Sequence, residues 1–383
     1  MAILGTLIEQ VRGVSYKPED LHTTLNENSV TLLRANNIKD GKLNFDDVVY
    51  VDKRKVSEKQ LLKSGDILIC ASSGSKELVG KAAYVAEDMA ITFGAFCKVV
   101  RPKTECPQYI GHFFNSPYYR ERIANAAAGA NINNIRNEHI DVLEIAWPSL
   151  EEQQDAVAVL DKVIELIALR KEQLVKLDQL VKSRFIELMG SAELSDALTV
   201  EQITERVKVG FVGTCEKYYT DDTGIPMLRT GNITDHGVDM RDLKYVTADF
   251  HEKNKKSQIR QGDLLIARHG SNGQANVYDG PEAQCLNAVV IVPNQHIARS
   301  VFLAGLINSP AVKEQIDKTL VGSTQHVVNT KSIANLVVRI PCLEIQKQYE
   351  TFVEQTDKSK MAIQQSLDKL ELMKKALMQK YFG

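Results

Sequence analysis

The sequence predicts an α+β protein in which one globular domain occurs twice and each copy is followed by a long helix. Three observations lead to this prediction: phrases repeated in one order, two long segments without glycine or proline, and a seven-residue spacing of apolar residues in those segments. They predict a pseudo-two-fold molecule in which two duplicated domains, each a twisted mixed sheet with short helices, are joined by two long antiparallel coiled-coil helices.

The duplication is visible as matched phrases. "LLRANNIKDG" starts at Leu32 and "MLRTGNITDHG" starts at Met227. "SGDILICASSGS" and "QGDLLIARHGSNG", "FNSPYY" and "INSPAV", and "AGANINNIRNEHI" and "VGSTQHVVNTKSI" follow in the same order, at offsets of 193 to 197 residues. Shared turn residues explain one match, but not four in one order. The chain therefore carries an internal repeat of domain size. The Asn-Ile step of the first phrase, Asn37–Ile38 and Asn232–Ile233, is kept in both copies and is interpreted as part of the shared scaffold.

Each copy begins with a globular part, residues 1–150 and 196–343. Short apolar runs such as "GDILICA" and "AVVIVPN" alternate with turns rich in Gly, Asn, Asp and Ser. This pattern is typical of short strands, and "QYIGHFFNSPYYRERIANAAA" adds short helices. We expect a twisted sheet, mostly antiparallel or mixed, in each copy.

Each globular part leads into a long helix, at residues 151–189 and 344–383. Ser149 and Glu152 form a capping box, and Gly190 and Gly383 follow the expected ends. The apolar seams are Leu160, Ile167, Leu174, Val181 and Leu188 with Val163, Leu177 and Phe185 in the first helix, and Ile363, Leu370 and Leu377 with Val353, Leu367 and Met373 in the second. Antiparallel pairing places the domains at opposite ends of a spacer, although the sequence also permits parallel pairing.

Composition is that of an ordinary globular chain, 44% hydrophobic and 25% charged, with a formal net charge of −2. Near neutrality is unusual for a DNA-binding protein, which normally carries a basic surface. The first residues lack the features of a signal peptide, and no apolar run is long enough to span a membrane, so we expect a cytoplasmic protein.

Catalytic motifs are missing from the sequence. It contains no GxxxxGK[ST], HExxH or GxSxG, and no FxGxG or [DN]PP[YF] of an aminomethyltransferase. The eight histidines and six cysteines show no metal-ligand spacing. We therefore expect a non-catalytic chain without a metal or a cofactor of its own.

Polar loops that differ between the copies are the candidate binding sites. Arg pairs well with guanine, Asn and Gln pair with adenine, and Ser and Lys are more permissive, while Arg34 and Arg229 suit phosphate. The candidate DNA-binding residues are Arg34, Asn36, Ser72, Ser73, Ser75, Lys76, Lys81, Asn131, Asn133, Asn134, Arg229, Thr230, Arg268, His269, Ser271, Asn272, Gln274, Thr324, Gln325 and His326. Each one alone also fits a polar turn, and only the parallel placement favours binding.

The whole chain resembles the specificity subunit of a type I restriction-modification system. The resemblance lies in the phrases "VRGVSY", "LLRANNIKDG", "SGDILI", "AGANINNI" and "WPSLEEQQ". A second set of similar phrases follows in the same order, from "VKVGFVG" to "IPCLEIQKQ". It implies a non-catalytic subunit with two target recognition domains, which read the halves of a bipartite double-stranded DNA site, and two helices that set the gap. It also implies two adenine methyltransferase subunits on the helices, S-adenosylmethionine on those subunits, and translocating nuclease subunits in some systems.

A second hypothesis remains open from the residues alone. The chain could be a tandem scaffold whose heads bind protein or glycan and whose helices only dimerise. The two hypotheses differ in salt-dependent DNA binding, which only the first requires.

Overall fold

The computed structural model describes residues 1–75, 77–127, 133–234, 237–268, 273–320 and 327–383. The chain divides into two compact units. The first unit contains Met1–Lys171 and Gln365–Gly383, and the second contains Glu172–Gln364. Each unit therefore combines one predicted globular part with sections of both long helices. The division into two globular domains and two separate helical segments stays a prediction.

The first unit contains two four-stranded sheets. One is antiparallel throughout, with the strand order Ala82–Tyr84, Ile67–Cys70, Cys97–Pro102 and Ile8–Arg12. The other has the order Ile91–Phe93, Ser29–Leu33, Val49–Asp52 and Leu21–His22, and its first two strands are parallel. Short ladders join Ala2–Ile3 to Glu144–Ile145, Ile38–Lys39 to Lys42–Leu43, and Ser72–Ser73 to Asn133–Asn134.

The second unit repeats this topology and adds a fifth strand, Gln258–Ile259, to one of its sheets. Its antiparallel sheet has the order Thr204–Val209, Ala288–Pro293, Leu264–Ala267 and Ala275–Val277. The other sheet has the order Tyr219–Thr220, Lys244–Val246, Ile225–Leu228, Ala283–Cys285 and Gln258–Ile259, and its central pair Ile225–Leu228 and Ala283–Cys285 is parallel. Short ladders join Leu198–Thr199 to Val337–Val338 and Ile233–Thr234 to Gly237–Val238. The predicted mixed, mostly antiparallel sheets are confirmed.

Short helices cover the sheets, and two long ones follow the globular parts. The helices are α1 Pro107–Phe113, α2 Pro117–Ala127, α3 Asn137–Asp141, α4 Leu150–Ser191, α5 Ala248–Lys253, α6 Ser300–Ile307, α7 Pro310–Leu320, α8 Thr330–Ala334 and α9 Leu343–Phe382. The Ser149–Glu152 capping box is present, because the Ser149 hydroxyl and backbone N–H both donate to the Glu152 carboxylate. Gly190 lies inside α4 rather than after it, since the helix continues to Ser191.

The two long helices pair antiparallel within each unit. In the first unit, Arg170 Nε donates to Ser366 Oγ at 3.2 Å. In the second unit, Lys360 pairs with Asp178 at 2.7 Å, and Phe185 packs against Tyr349 with ring centroids 5.2 Å apart. Residue numbers rise along α4 as they fall along α9, so the predicted antiparallel pairing is confirmed.

Most of the predicted seam is buried or half-buried. Met373 is the exception, because its side chain is 52% exposed. Lys374, the next residue and seven after Leu367, is half-buried and occupies the seam position instead. Assigning Met373 to the seam was therefore wrong.

The helices also complete the cores of the globular parts. Met378 and Phe382 of α9 belong to the core cluster of the first unit, together with Tyr109 and Phe113 of α1. In the second unit, Phe185 of α4 packs against Phe302 with ring centroids 5.6 Å apart. Because these clusters mix helix and sheet residues, each globular part depends on helix packing for its core.

One glycine in each copy permits a close backbone crossing. A Cβ on Gly13 would lie 2.1 Å from the Gly94 carbonyl oxygen, and one on Gly210 would lie 2.4 Å from the Cys285 carbonyl oxygen. The next residues form equivalent bonds, since Val14 N–H donates to Phe93 O and Phe211 N–H donates to Cys285 O, both at 2.7 Å. Glycine is required here because any side chain would separate the crossing strands.

Among the described residues, the longest helices are too polar to qualify as membrane spans.

Candidate nucleic-acid interface

In the first unit, one turn brings the ends of both sheets together. The turn Gly94–Phe96 follows the strand Ile91–Phe93, and Gly94 N–H donates to Leu33 O at 2.9 Å, directly before Arg34. On its other side, Ala71 and Ser72 donate their backbone N–H groups to Phe96 O at 2.9 and 3.0 Å. The residues that follow these strands therefore lie at one edge, which we call the first-unit edge: Arg34, Asn36, Ser72, Ser73 and Phe96.

The second unit builds the same edge from equivalent strands. Leu286 N–H donates to Leu228 O at 2.7 Å, directly before Arg229. The strand Leu264–Ala267 ends before Arg268, beside the start of Ala288–Pro293, because Ala267 pairs with Ala288. The second-unit edge is therefore Arg229, Thr230, Arg268 and Asn287.

In each unit, an asparagine holds in place the loop that begins with Arg34 or Arg229. Asn37 Oδ1 accepts from Arg34 N–H at 2.7 Å, and its Nδ2 donates to the backbone oxygens of Asn44 and Asp47 at 2.8 and 2.9 Å. The side chain is fully buried, so its hydrogen bonds are shielded from water.

Asn232 makes the same set of bonds in the second unit. Its Oδ1 accepts from Arg229 N–H at 2.9 Å, and its Nδ2 donates to the backbone oxygens of Asp239 and Asp242 at 3.2 and 3.1 Å. The repeated Asn-Ile step is therefore structural, as the sequence predicted, and it fixes the arginine that precedes it.

Both of these arginines are held by an aspartate. Arg34 Nη2 lies 2.9 Å from Asp47 Oδ2, and Arg229 Nη2 lies 3.1 Å from Asp242 Oδ2. Both Nε–H groups are buried without a hydrogen-bond acceptor among the described residues. An unpaired buried donor costs about 1–3 kcal/mol, and both copies tolerate that cost at the same position. The ion pairs orient the guanidinium groups, which remain about one-third exposed; whether they contact phosphate stays a prediction.

Other predicted residues of the first unit lie in two places, beside Ser72 and Ser73 or beside Asp47. The backbone of Ser72–Ser73 pairs with that of Asn133–Asn134. Ser73 Oγ accepts from Ser75 N–H at 3.1 Å, and Asn36 Nδ2 donates to Asp47 Oδ2 at 2.7 Å. Lys81 O accepts from Cys70 N–H at 2.9 Å, where the strand Ile67–Cys70 ends. The structure thus brings together residues that are distant in sequence, while their contact with DNA stays a prediction.

In the second unit, Arg268 connects three segments. Its Nη1 donates to Asn287 Oδ1 at 3.0 Å, its Nε donates to Val328 O at 3.3 Å, and its own carbonyl accepts from Val328 N–H at 3.1 Å. Thr230 Oγ1 donates to Asn287 O at 3.4 Å. Gln274 is half-buried. Arg268 therefore has a structural role in addition to the predicted recognition role.

Eight predicted site residues lie outside the described residues: Lys76, Asn131, His269, Ser271, Asn272, Thr324, Gln325 and His326.

Two residues at these edges were missed by the sequence reasoning. Phe96 and Asn287 occupy equivalent turns, before Cys97 and Ala288 of the paired strands. Asn287 has a φ of 52°, a left-handed conformation that asparagine tolerates better than most residues. That preference was the available signal for Asn287. No sequence signal marked Phe96 as a surface residue, because "ITFGAFCKVV" has the pattern of a continuous, mainly apolar strand.

A buried lysine supports the segment between Asn134 and α3 in the first unit. Lys98 Nζ donates to Gln10 Oε1 at 2.9 Å and to Asn137 Oδ1 at 2.8 Å, at the start of α3. Burial lowers the pKa of Lys98 to about 8. The network fixes the segment directly after Asn134.

A polar cleft of about 490 Å³ lies between α7 and α8 in the second unit. It is lined by Lys318 and Lys331 together with Asn329 and Ser332. Asn329 follows Val328, which is bonded to Arg268, so the cleft adjoins the second-unit edge. Lysine side chains suit a phosphate group, and Lys318 here already pairs with Glu314 at 2.8 Å.

The sequence matches the family described as "Type I restriction modification DNA specificity domain" over residues 22–179 and 209–372. The chain belongs to this family. Each matched segment covers most of one copy of the repeat, so type I specificity domains occur twice here.

Individual relatives agree with the family match. The chain is 31% identical to the type I restriction enzyme StySPI specificity subunit of Salmonella potsdam, with 92% of this chain and 81% of that protein aligned. It is 29% identical to the EcoKI specificity subunit of Escherichia coli strain K12, with 93% and 81% aligned. These matches favour the specificity-subunit hypothesis over the scaffold hypothesis.

A solved structure shares the fold. The S subunit of a type I restriction-modification system from M. genitalium matches with a TM-score of 0.60 at 14% identity, over all of this chain and 95% of that one. The predicted class, two duplicated sheet domains with two long helices, is confirmed as the fold of type I specificity subunits.

Proposed function

We propose that this chain is the DNA-recognition subunit of a type I restriction-modification complex and that it reads a bipartite, asymmetric double-stranded site, one half per unit. The observation that carries the proposal is the pair of edges. Asn37 and Asn232 hold the same backbone in both units, whereas Phe96 and Asn287 differ at equivalent positions. A duplicated scaffold with divergent contact residues suits a site whose halves differ in base sequence.

The catalytic steps of the complex belong to partner subunits. Two adenine methyltransferase subunits, with S-adenosylmethionine bound to them, dock on the long helices in the cytoplasm, and translocating nuclease subunits join where the system has them. Exposed apolar side chains on α4 and α9 support this docking, among them Val175, Ile186 and Leu372. The formal net charge of −2 also supports shared DNA binding, because partners then supply much of the phosphate contact.

Methylation mapping tests the proposal directly. We expect N6-methyladenine in a two-part motif on the genome of cells that express this chain with its methyltransferase, and loss of that methylation when only this chain is deleted. The chain should also co-purify with the methyltransferase. An unchanged methylome after the deletion would refute the proposal.

Substitutions at the two edges test the assignment of one half-site to each unit. Asn134→Ala in the first unit and Arg268→Ala in the second should each alter a different half of the methylated motif. Removing one side chain that hydrogen-bonds a base edge weakens discrimination between bases by about 1–3 kcal/mol. If either substitution relaxed both halves, the assignment would be wrong.

The spacer role of the helices has a separate test. One heptad inserted into both α4 and α9, at positions that face each other, keeps the seam in register. We expect such a variant to methylate a motif with a longer gap and unchanged half-sites. A matched variant with the heptad in α4 alone should lose helix pairing and methylation.

A further inference from the structure

Phe96 is exposed in a way that the fold does not explain. Its side chain is 71% exposed, although large aromatic residues usually bury most of their surface. It lies at the first-unit edge, beside Ser72 and Ser73. An exposed aromatic ring among hydroxyl groups is a common feature of a binding surface.

The turn that carries Phe96 is well fixed. The Phe96 carbonyl accepts two backbone bonds, from Ala71 and Ser72, and Cys97 N–H donates to Gly94 O at 2.8 Å. The backbone that carries the ring therefore needs no reordering when a ligand binds. The backbone position of Phe96 is set before binding.

A second exposed phenylalanine lies in a loop tied to the same edge. Phe45 is 46% exposed, between Asn44 and Asp47, whose backbone oxygens both accept from buried Asn37. Asp47 in turn holds Arg34 and Asn36. Two aromatic rings thus accompany guanidinium, amide and hydroxyl groups, a combination that suits a nucleic acid better than an apolar protein surface.

The second unit carries other residue types at the two equivalent positions. Asn287 replaces Phe96, and its side chain accepts from Arg268. Met240, two residues before Asp242, replaces Phe45. At these paired positions, an aromatic ring is therefore present in the first unit alone.

The geometry points to Phe96 as a stacking residue: its ring contacts the face of an unstacked base in the half-site bound by the first unit, while the second unit uses Arg268 and Asn287 for hydrogen bonding. This inference rests on the proposed function. Every base has an aromatic face, and an apolar wedge beside polar groups unstacks a base step without needing a particular sequence. The two halves of the DNA site are then deformed unequally.

The test uses the full chain assembled with its methyltransferase subunits and duplexes that carry its methylated motif. 2-Aminopurine, which fluoresces more strongly when unstacked, replaces bases one at a time in both half-sites, except at the two adenines that the methyltransferase subunits themselves extrude for methylation. We expect wild-type protein to raise the fluorescence at a position in one half-site only. Phe96→Ala should abolish that rise and weaken binding roughly 5- to 100-fold, whereas Phe96→Tyr should keep both.

Controls separate stacking from other effects. Leu25→Ala removes an apolar side chain of 60% exposure at the opposite end of the strand Ser29–Leu33 and should change neither signal. Phe96→Ala should unfold at the wild-type temperature and retain its methyltransferase subunits. The stacking inference would be overturned if Phe96→Ala lost those subunits, or if it kept wild-type binding and fluorescence. Either result would leave the proposed function standing. Wild-type complex without any motif preference would instead refute the proposed function.

Discussion

Tyr109 and Phe382 pack together with ring centroids 5.0 Å apart, although Phe382 is the penultimate residue of the chain. Tyr109 is on α1 and Phe382 ends α9, and both are buried in the core of the first unit. The last helical turns are therefore part of the first globular core.

Phe382→Ala should destabilise the first unit. Truncating a buried phenylalanine costs about 3–5 kcal/mol, and the Phe113 ring also packs against Phe382. Hydrogen exchange should show faster opening of the strands Ile67–Cys70 and Cys97–Pro102. Leu372→Ala, on the same helix but 69% exposed, is the control and should leave exchange unchanged. Equal exchange in both variants would contradict the assignment of Phe382 to this core.

Gly13→Ala and Gly210→Ala should both distort the edge that follows them. The added methyl group would overlap a backbone oxygen, at Gly94 or Cys285 respectively, and such overpacking costs about 1–3 kcal/mol. We expect a lower midpoint of thermal unfolding and weaker DNA binding. Gly190→Ala is the control, because Gly190 lies inside α4, outside both edges, and no atom lies within 4 Å of its added Cβ. A comparable decrease with Gly190→Ala would argue against the close-crossing explanation.

The repeated Gly-Asp step predicts opposite effects of one substitution in the two copies. Asp66 is fully buried and accepts two hydrogen bonds from Arg101, at 2.7 and 2.8 Å. Asp66→Asn should therefore destabilise the first unit by about 3 kcal/mol, the low end for a buried pair because Arg101 is partly exposed. Urea unfolding monitored by hydrogen exchange would measure the change. Unchanged stability would show that the ion pair contributes nothing.

Asp263→Asn should stabilise the second unit at neutral pH. Burial raises the pKa of Asp263, and its side chain accepts from Arg260 N–H at 3.0 Å, a bond that asparagine can keep. Because the folded pKa lies above the unfolded value, the ionised carboxylate opposes folding at higher pH. The cost appears as pH rises through the interval between the two pKa values.

The advantage of Asp263→Asn should accordingly depend on pH. It should be full above the folded pKa and disappear below the ordinary value of 3.8, where the aspartate is protonated in both states. Free energies of unfolding for wild type and variant, measured from acid to neutral pH, check this. A constant difference across the range would contradict burial as the cause.

The sequence by itself determined the duplication, the two long helices and the structural role of the repeated asparagine. Asn37 and Asn232 were recognisable because both lie at the same place in a repeated phrase and serve local turns, with partners within ten residues. The helical seams were recognisable because apolar spacing follows helix geometry directly. Such features depend on neighbours along the chain.

Only the tertiary structure decided which distant segments meet. Apolar spacing gave Leu367 and Leu377 a common face, but it did not show that Met373 falls off that face or that Phe382 completes the core around Tyr109. The first-unit edge forms because parallel and antiparallel pairing brings the ends of separate strands to one turn. Phe96 was hidden because its neighbours are apolar, and its exposure follows from hydrogen bonds to strands more than twenty residues away. Contacts between segments far apart in the chain leave no local pattern, so they are fixed only when the chain folds.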